Sequence, residues 1–428
     1  MRYSGEVRFR EFGPPEACAR LRAYSRTVLG KAKNMAELGG VAQFAHTETV
    51  EGQGVVRAHW NGWMPTIEIY AGVVAEEVET APLYRLAVLG EDGVAVYEQR
   101  GRVFSLLREF AVGGPRSVAL SADGRWAAWG RNGAPPEVVN VESGESVPVL
   151  TAGVLSGSVA LSRTGGVLAA ENRREEGDLF PQAMVFRRED GAYSPLPDFP
   201  HYSQAEFAGR LSIGLDPAGR RMAFGQQSYR AIDPLPDDAL VAGFEVSDTA
   251  VVPHPMIPWF EAPFDTNVQQ VSVSSDGQYM LVATFAAAPG EATAAVFRYL
   301  SGRFRTPLVV NTDLVRGARS AAAADSLTFA FGYIGTVGRG VSVHRVVEGS
   351  VEAQEVDPLP GPTFVVAGVA VSGLGEYVAA HDRNAGLVFW RREDEEYRQF
   401  GPEGIAHAPS LSAATNTLAY SGVIEEEV

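Results

Sequence analysis

The chain has 428 residues, of which 46% are apolar and 21% charged, and its net charge is −16. This apolar content is typical of a folded globular protein and excludes a long disordered polymer. A single cysteine excludes a disulfide framework and any multi-cysteine metal cluster, and the acidic balance disfavours general nucleic-acid binding.

No secretory leader or membrane span is predicted. The first twelve residues, MRYSGEVRFREF, are too charged to form the apolar stretch of a leader. The most apolar uncharged run, residues 361–375, is shorter than the roughly 20 residues that a spanning helix needs, and Gly, Pro and Ser interrupt it. Together with the lone cysteine, these patterns predict a soluble protein of the cytoplasm.

Residues 1–80 are predicted to form a small α+β domain or extension. A Pro-Pro-Glu start at residues 14–16 precedes helical apolar spacing and predicts one amphipathic helix that ends at the glycine pair 39–40. The apolar positions of this helix are Cys18, Leu21, Val28, Leu29, Ala32 and Met35. Three strand-like runs follow, at residues 41–50, 54–60 and 63–74.

The charge of this region differs from that of the rest. Residues 1–40 hold eight basic and four acidic side chains, net +4, so the remainder of the chain carries −20. Lys31 and Lys33 are the only lysines, and both lie on the predicted helix. We favour a solvated helix face lying against the acidic remainder of the chain over a docking element for an acidic partner, but keep both lysines as candidate partner-binding residues. Nucleic-acid binding is not expected, because no recognition motif accompanies them.

From residue 117 onward one pattern recurs: an apolar run, a small polar turn and a second apolar run. SVALSADGRWAAWG and VSVSSDGQYMLVATF are clear copies, with turns at residues 121–124 and 274–277. Asp-Gly between two apolar runs favours a tight hairpin, because both residues tolerate a positive φ. The fourth turn position falls at residues 124, 165, 219, 277, 326, 375 and 415. Four short strands at a period of about 40–50 residues are typical of propeller blades.

Seven turns predict seven blades, but the last copy ends soon after residues 417–421, which leaves its blade short of strands. Residues 93–100 and 102–108 resemble the third and fourth strands of the other units. Strands from residues 81–112 are therefore predicted to complete the last blade, because an open ring would expose unpaired backbone groups. Residues 84–90 are either a fragment of an eighth blade or a competitor of residues 417–421 for the second-strand position.

The S-x-D-G turns at residues 121–124 and 274–277, flanked by apolar strands, resemble those of WD40-type and related bacterial seven-bladed β-propellers. The resemblance covers residues 81–428 and is one of repeats, since the Trp-Asp pair at blade ends and the Gly-His pair that opens a WD40 blade are absent. It implies a rigid platform for other proteins, the most frequent role of such folds.

Patterns that carry chemistry are scarce. The seven histidines have no metal-ligand spacing, no G-x-S-x-G elbow occurs, and Cys18 occupies an apolar helix position. His381 and Asp382 are strand neighbours whose side chains point to opposite faces, which favours a structural role. The glycines at residues 332–340 are interpreted as a hairpin, because no helix follows to bind a phosphate. No catalytic residue, metal ligand or cofactor is therefore predicted.

Three aspartates, Asp123, Asp216 and Asp276, occupy related turn positions. In a ring they would lie on one face, as the acids of enzymatic propellers do at the channel mouth. We favour a local role instead, in which each carboxylate accepts hydrogen bonds from the backbone of its own turn.

One long insertion, residues 251–264, combines four prolines with Trp259, Phe260 and Phe264. An exposed aromatic loop of this kind would bind a partner protein, because interface hot spots favour aromatic side chains. The alternative is an outer strand and its connection, with the rings buried against the neighbouring blade. The three aromatic residues are kept as candidate partner-binding residues.

The sequence thus predicts an all-β fold: a seven-bladed β-propeller over residues 81–428, closed by N-terminal strands, with a small N-terminal α+β element over residues 1–80. The predicted function is that of a non-catalytic scaffold or adaptor that binds other proteins in a larger bacterial-type assembly. The competing hypothesis is a hydrolase or lactonase with a site at the channel mouth. Converging carboxylates and histidines at the channel would favour the enzyme. A channel filled by side chains, with a rim suited to binding other proteins, would favour the scaffold.

Overall fold

A computed structural model describes most of the chain. The described residues are 7–13, 15–31, 44–50, 53–60, 65–71, 81–90, 93–131, 134–150, 157–172, 182–196, 211–226, 241–254, 268–284, 294–311, 318–335, 340–359, 364–382, 386–401 and 417–424. They form 32 β-strands and, near the N-terminus, a short helical region. Within these ranges, no helix is long and apolar enough to cross a bilayer.

The N-terminal element is a four-stranded sheet with helices on one face. Its strands are β1 (Arg8–Phe12), β2 (Phe44–Val50), β3 (Gly54–Trp60) and β4 (Pro65–Ala71), in the order β1-β4-β3-β2 with β1 parallel to β4. Helix α1 (Pro15–Arg22) and helical residues 25–31 pack on β3 and β4 through a core that includes Cys18, Leu21 and Val28. Burial of about three aliphatic side chains here stabilises the element by several kcal/mol.

The prediction of one continuous helix is wrong. Helix α1 ends at Arg22, where the buried Ser25 hydroxyl donates to the Arg22 carbonyl oxygen at 2.6 Å and replaces a helical hydrogen bond. A second helical segment then covers residues 25–31, and the predicted end at residues 39–40 lies outside the described residues. Strand β1 was not predicted, because its sequence RFREF is mostly charged.

The remaining strands form the ring. Three sets, each given from channel to rim, are β8–β11 (Pro115–Leu120, Trp126–Arg131, Ala134–Asn140, Ser146–Val147), β12–β15 (Val159–Leu161, Val167–Asn172, Gln182–Glu189, Ala192–Pro195) and β16–β19 (Leu211–Leu215, Arg221–Gln226, Val241–Val246, Val251–Pro253). Three more are β20–β23 (Val268–Val273, Tyr279–Thr284, Ala294–Leu300, Arg303–Asn311), β24–β27 (Ala318–Ala322, Thr328–Gly335, Val341–Val347, Ser350–Val356) and β28–β31 (Phe364–Val371, Tyr377–Asp382, Gly386–Glu393, Glu396–Phe400).

The last set joins the two ends of the chain. Strand β32 (Leu418–Tyr420) is innermost and pairs antiparallel with β5 (Leu83–Leu89), which is followed by β6 (Gly93–Arg100) and β7 (Val103–Ala111). Strand β5 therefore takes the second position, and residues 417–421 are not a second strand but supply the first. The predicted closure of the ring by N-terminal strands is confirmed.

Hydrophobic clusters show how the sets pack. Each of seven clusters joins two consecutive sets, and one of them joins the closing set to β8–β11. Sets β24–β27 and β28–β31 also share an eight-stranded sheet, through two short pairings of two residues each. In the described part of the chain, seven four-stranded sets thus follow one another around a ring, which confirms the predicted all-β propeller.

The N-terminal element packs on the closing set. Val55 and Tyr70 of its sheet contact Leu83, Val103 and Ile424 of the ring. These contacts bury apolar surface where the two ends of the chain meet, so the element covers the seam of the propeller.

Candidate functional site at one end of the channel

Six of the seven innermost strands end in a tight turn that the sequence repeats encode. In the first turn the Ser121 hydroxyl oxygen accepts a hydrogen bond from the Trp126 amide at 2.9 Å, and Gly124 adopts a φ of 68°. The hydroxyl oxygens of Ser162, Ser274 and Ser372 accept the same hydrogen bond, each from the amide five residues later. Glycine suits the fourth position, because side-chain-bearing residues are strained at this φ.

The turn aspartates act locally, as predicted. Asp123 Oδ1 accepts hydrogen bonds from its own turn at 2.5 and 3.0 Å, and Asp276 does the same at 2.6 and 2.9 Å. Asp216 replaces the serine of its turn and accepts from the amides of Arg220 and Arg221. Burial raises the pKa of Asp216. Each of these carboxylates therefore stabilises its own turn.

The seventh turn is assembled from both ends of the chain. The Ser421 hydroxyl oxygen accepts from the Arg85 amide at 2.8 Å, and the Ser421 amide donates to the Arg85 carbonyl at 2.9 Å. This is the geometry of the other serine turns. The seventh turn therefore begins at Ser421 and not at residue 412, as the repeat pattern predicted.

The turns contact one another around the channel axis. Backbone hydrogen bonds join Asp123 to Arg163, Arg163 to Pro217, Asp325 to Gly373, and Gly373 to Ser421. The second turn positions are occupied by Ala122, Arg163, Pro217, Ser275, Ala324, Gly373 and Gly422. Six of these residues are small, so Arg163 is the one long side chain in this ring of seven positions.

Arg163 reaches across the mouth of the channel. Its Nη1 atom lies 2.5 Å from Asp325 Oδ1, and its Nη2 atom donates to the Ala324 carbonyl at 3.2 Å. Asp325 Oδ2 also accepts from the Val423 amide at 2.8 Å. A Cβ atom at Gly422 would lie 2.3 Å from the same oxygen, so only glycine leaves room for this carboxylate. We call the pair of Arg163 and Asp325 the latch.

A pocket of about 150 Å³, partly open to solvent, lies in the channel at the same ends of the innermost strands. Its walls are the last residues of all seven innermost strands, which end at Leu120, Leu161, Leu215, Val273, Ala322, Val371 and Tyr420. Most lining side chains are aliphatic, and the polar ones are Gln270, Ser272, Ser320 and Tyr420. The lining residues include no carboxylate and no histidine. Among the described residues, no three His, Cys, Asp or Glu side chains are placed to hold a metal ion.

Arginines join each blade to the next. Arg85 is buried, and its guanidinium donates to the Gly124 carbonyl at 2.9 Å, to Glu98 at 3.0 Å and to Glu142 at 2.9 Å. The hydrogen bonds from Arg85 lower the pKa of Glu142. Arg221 holds the equivalent place between two continuous blades and donates to the Gly277 carbonyl at 2.9 Å. A planar guanidinium bonds a carbonyl and a carboxylate together, which the single ammonium of lysine does less well.

The described histidines lie away from the cavity. His344 stacks on Phe329 with ring centroids 5.5 Å apart, and burial lowers its pKa to about 4. Burial also lowers the pKa of His254, which lies 3.3 Å from Glu245. His381 and Asp382 are both buried within strand β29. None of these side chains is among the residues that line the pocket.

The candidate partner-binding residues are only partly described. Trp259, Phe260, Phe264 and Lys33 lie outside the described residues. Lys31 is half exposed, and its Nζ atom lies 2.7 Å from Glu48 Oε2 of strand β2. The expected contact of this basic helix face with the propeller is therefore wrong for Lys31, because the pair lies within the N-terminal element.

The single cysteine is a packing residue. Cys18 is buried in the core of the N-terminal element, and burial together with nearby Glu11 raises the pKa of its thiol to about 11. A thiol with this pKa is protonated at neutral pH and is a poor nucleophile.

These features define a β-propeller. The fold is similar to that of a periplasmic gluconolactonase from Pseudomonas aeruginosa, with a TM-score of 0.54 and 16% identity over 80% of this chain and 99% of that one. It is also similar to a putative 6-phosphogluconolactonase from Bacteroides fragilis, with a TM-score of 0.51 and 14% identity over 80% and 98%. At these identities the likeness shows the fold alone.

A WD40-type propeller gives a weaker match. The β-propeller domain of Cps50 (Swd1) from Myceliophteria thermophila has a TM-score of 0.46 and 14% identity, over 69% of this chain and 89% of that one. No family model and no curated protein matches the sequence. The resemblance to β-propellers is confirmed at the level of the fold.

Sequence reasoning missed the latch. Arg163 and Asp325 lie in turns that are three blades apart, and only the ring brings them together. The sequence did contain a signal for it. At the second turn position six repeats have a small residue and one has an arginine, and the structure of the turn itself does not require that arginine.

Proposed function

We propose that the protein is a non-catalytic scaffold or adaptor, which presents the loops of a rigid ring to partner proteins in a larger assembly. The observation that carries this proposal is the set of side chains found at the described channel mouth and in the pocket lining. The ion pair of Arg163 and Asp325 lies at this mouth, and the pocket next to it has neither a carboxylate nor a histidine in its lining. Hydrolysis needs a positioned acid, base or nucleophile, and this lining offers hydroxyl groups with no histidine or carboxylate to activate them.

The joints between blades support the role of a rigid platform. Each pair of neighbouring sets shares an apolar cluster, and arginines such as Arg85 and Arg221 connect one blade to the turn of the next. A scaffold with fixed joints holds its loops in one arrangement, so partners bind without a cost for ordering the ring.

The proposed partner-binding residues are Trp259, Phe260 and Phe264 in the insertion, together with Lys31 and Lys33 in the N-terminal element. The insertion begins with strand β19 (Val251–Pro253), the outermost strand of its sheet. Its aromatic side chains would supply apolar contact area, and the two lysines would add attraction for an acidic surface. Proteins are the proposed partners, whereas nucleic acid, membranes and cofactors are not.

Affinity purification with quantitative mass spectrometry tests the scaffold. We expect the full-length chain to recover a partner in stoichiometric amount, and the triple variant Trp259→Ala, Phe260→Ala, Phe264→Ala to lose it. The matched control is Leu106→Ala, which removes an apolar side chain that is 48% exposed on strand β7. Recovery of no stoichiometric partner, or equal recovery by the triple variant, would count against the proposal.

The second candidate is a lactonase, which the fold overlap with the two lactonases favours. Purified protein should then open glucono-δ-lactone or its 6-phosphate faster than the buffer does, measured by proton release at constant pH. A rate equal to that of the buffer rejects this candidate and leaves the scaffold in place.

We also propose that the protein works in the cytoplasm. Cell fractionation with marker enzymes for each compartment tests this location, and recovery with the periplasmic markers would refute it.

A further inference from the structure

The hairpin that joins β22 to β23 carries three arginines on one face. Arg298 on β22 lies directly opposite Arg305 on β23, and Leu300 lies opposite Arg303. Because side chains alternate along a strand, these four residues share one face, whereas Phe304 on the other face packs on the preceding blade. Like charges directly opposite each other destabilise an antiparallel pair. The hairpin is therefore destabilised unless a negative charge lies close to this face.

The described part of the chain supplies no such charge. The Nε atoms of Arg303 and Arg305 are buried without a hydrogen-bond partner. Arg298 is exposed, and its Nη1 atom lies 3.7 Å from the point where a Cβ atom at Gly349 would be, beside the turn of the next blade. No described carboxylate forms an ion pair with any of the three, and this includes the exposed Glu348 of that turn.

Two other rim hairpins balance the same position. Arg187 and Arg345 occupy the place of Arg298, three residues before the turn, and the guanidinium of each lies 2.8 Å from a carboxylate oxygen on the hairpin of the next blade. The residue opposite Arg187 is Ser194, and the residue opposite Arg345 is Glu352. Neither hairpin therefore sets one cation against another.

A second pair of facing arginines occurs in the ring, and carboxylates lie beside it. Arg391 on β30 is opposite Arg398 on β31, but Arg398 forms ion pairs with Glu396 and, at 3.1 Å, with Asp357. Among the described rim hairpins, only the β22–β23 hairpin has facing arginines without a carboxylate partner. This arrangement does not stabilise the blade, which points to a role in binding.

The surroundings of the hairpin indicate the chemistry of the partner. A guanidinium binds a carboxylate through two parallel hydrogen bonds, and Leu300, which is 42% exposed, adds apolar contact beside the arginines. The turn of the preceding blade carries Asp248, 89% exposed, and the turn of the following blade carries Glu348. These acids would repel a nucleic acid that runs along the rim, whereas a short acidic peptide segment fits on one hairpin.

We propose that the face formed by Arg298, Leu300, Arg303 and Arg305 binds a short acidic segment of a partner protein. The inference rests on the scaffold proposal for the existence of a partner, and it adds the chemistry that the ring recognises. Binding of carboxylates would offset the repulsion between the arginines. The free protein then keeps a less stable hairpin for the sake of binding, which is a common compromise at functional sites.

Isothermal titration calorimetry of the full-length protein with hexaglutamate tests this face. We expect the double variant Arg298→Gln, Arg305→Gln to weaken binding about tenfold at low salt, because two of the three cations are lost. The matched control is Arg20→Gln, Arg26→Gln, which removes the same charge from exposed positions of the N-terminal helices. Equal weakening in the control, or none in the first variant, overturns the proposal. Tighter binding of oligothymidylate than of hexaglutamate overturns the choice of a protein partner.

Urea unfolding without any peptide separates a binding face from a structural joint. Arg298→Gln removes the repulsion and should raise the equilibrium constant for folding about twofold, whereas Arg187→Gln breaks an ion pair and should not raise it. A loss of stability in Arg298→Gln would show that this arginine serves the blade and would overturn the proposal. A chain that binds hexaglutamate but recovers no partner from cells counts against the scaffold alone. A chain that recovers a partner but does not bind the peptide counts against this face alone.

Discussion

The closing blade and the blade of strands β8–β11 have the same geometry but different connectivity. In β8–β11 the turn serine and the amide it binds are five residues apart, whereas Ser421 and Arg85 are separated by 336 residues. The hydrogen bonds are nevertheless alike, at 2.9 and 2.8 Å. The comparison teaches that a blade needs its strands side by side, and not joined in one continuous segment.

The closing blade needs extra contacts to compensate. Its innermost strand has only three residues, and no hairpin holds that strand against β5. Further contacts come from Ile424, whose amide donates to Leu83, and from the N-terminal element, which buries Val55 and Tyr70 at the seam. They offset the larger entropy lost when distant segments are brought together.

The largest expected effect is at Arg85. Arg85→Met leaves the buried Glu98 without its guanidinium partner and should lower the free energy of unfolding by about 3–5 kcal/mol. The matched change in a continuous blade, Arg221→Met, should cost about 1–2 kcal/mol, because Glu245 is well exposed to water. Urea unfolding at pH 7.5 measures both. Equal losses would mean that the seam depends on this residue no more than other joints do.

Lowering the pH should destabilise the continuous blade that contains His344 before it destabilises the closing blade. The pKa of His344 falls from 6.5 to about 4 on folding, so the unfolded chain binds the proton first. The stability that neutral His344 contributes is present above pH 6.5 and is lost as the pH falls towards 4, with about 2 kcal/mol gone at pH 5. His344→Leu should remove this part of the pH dependence.

Urea unfolding at pH 7.5 and pH 5 checks the effect of acid, with the surface substitution His46→Gln as the control. In the unmodified protein at pH 5, hydrogen exchange should accelerate in β25 and β26 more than in β32. Faster hydrogen exchange in β32 than in β25 and β26 would show that acid destabilises the closing blade first, contrary to this prediction.

Glycine substitutions compare the seam with the rim. Gly124→Ala forces a side chain into a φ of 68° and places its Cβ 2.9 Å from Ile424 Cδ1, so about 2 kcal/mol should be lost. Gly191→Ala imposes a similar φ in open space and should cost about 1 kcal/mol. Thermal unfolding with calorimetry gives the difference, and a larger loss at Gly191 would contradict it.

The smallest effect is expected at the turn serines. Ser421→Ala and Ser121→Ala each remove one acceptor of a buried amide and should cost about 1 kcal/mol. Their hydrogen-exchange patterns should differ. Ser421→Ala should raise exchange at both chain ends, in β5 and β32, whereas Ser121→Ala should act only within its own blade. If the faster hydrogen exchange stayed next to the substituted turn in both variants, Ser421 would not link the two chain ends more strongly than Ser121 links its own blade.

Much of the ring was predictable because its signals are local. A serine or aspartate at the first turn position and a glycine at the fourth fix a tight turn within four residues, as at Ser274 and Gly277. Closure was predictable as well, because a ring cannot leave strand edges open. The exchange of first and second strands in the last blade was missed, since residues 417–421 and 83–89 both have strand-like patterns.

The candidate site was not predictable from local patterns. Arg163 and Asp325 meet because the ring places their turns around one mouth, and their distance depends on all blades together. Ser25 likewise ends helix α1 by a side-chain bond that helical spacing does not reveal. The aromatic residues Trp259, Phe260 and Phe264 remain predictions, because they lie outside the described residues.

The latch also ties distant parts of the ring to each other. Arg163 and Asp325 stand three blades apart, so their contact is not one between neighbouring blades. The apolar clusters and the joints made by Arg85 and Arg221 hold one blade to the next, whereas this ion pair acts as a crosspiece between opposite sides. A shift of the intervening blades would therefore change the distance between these two side chains.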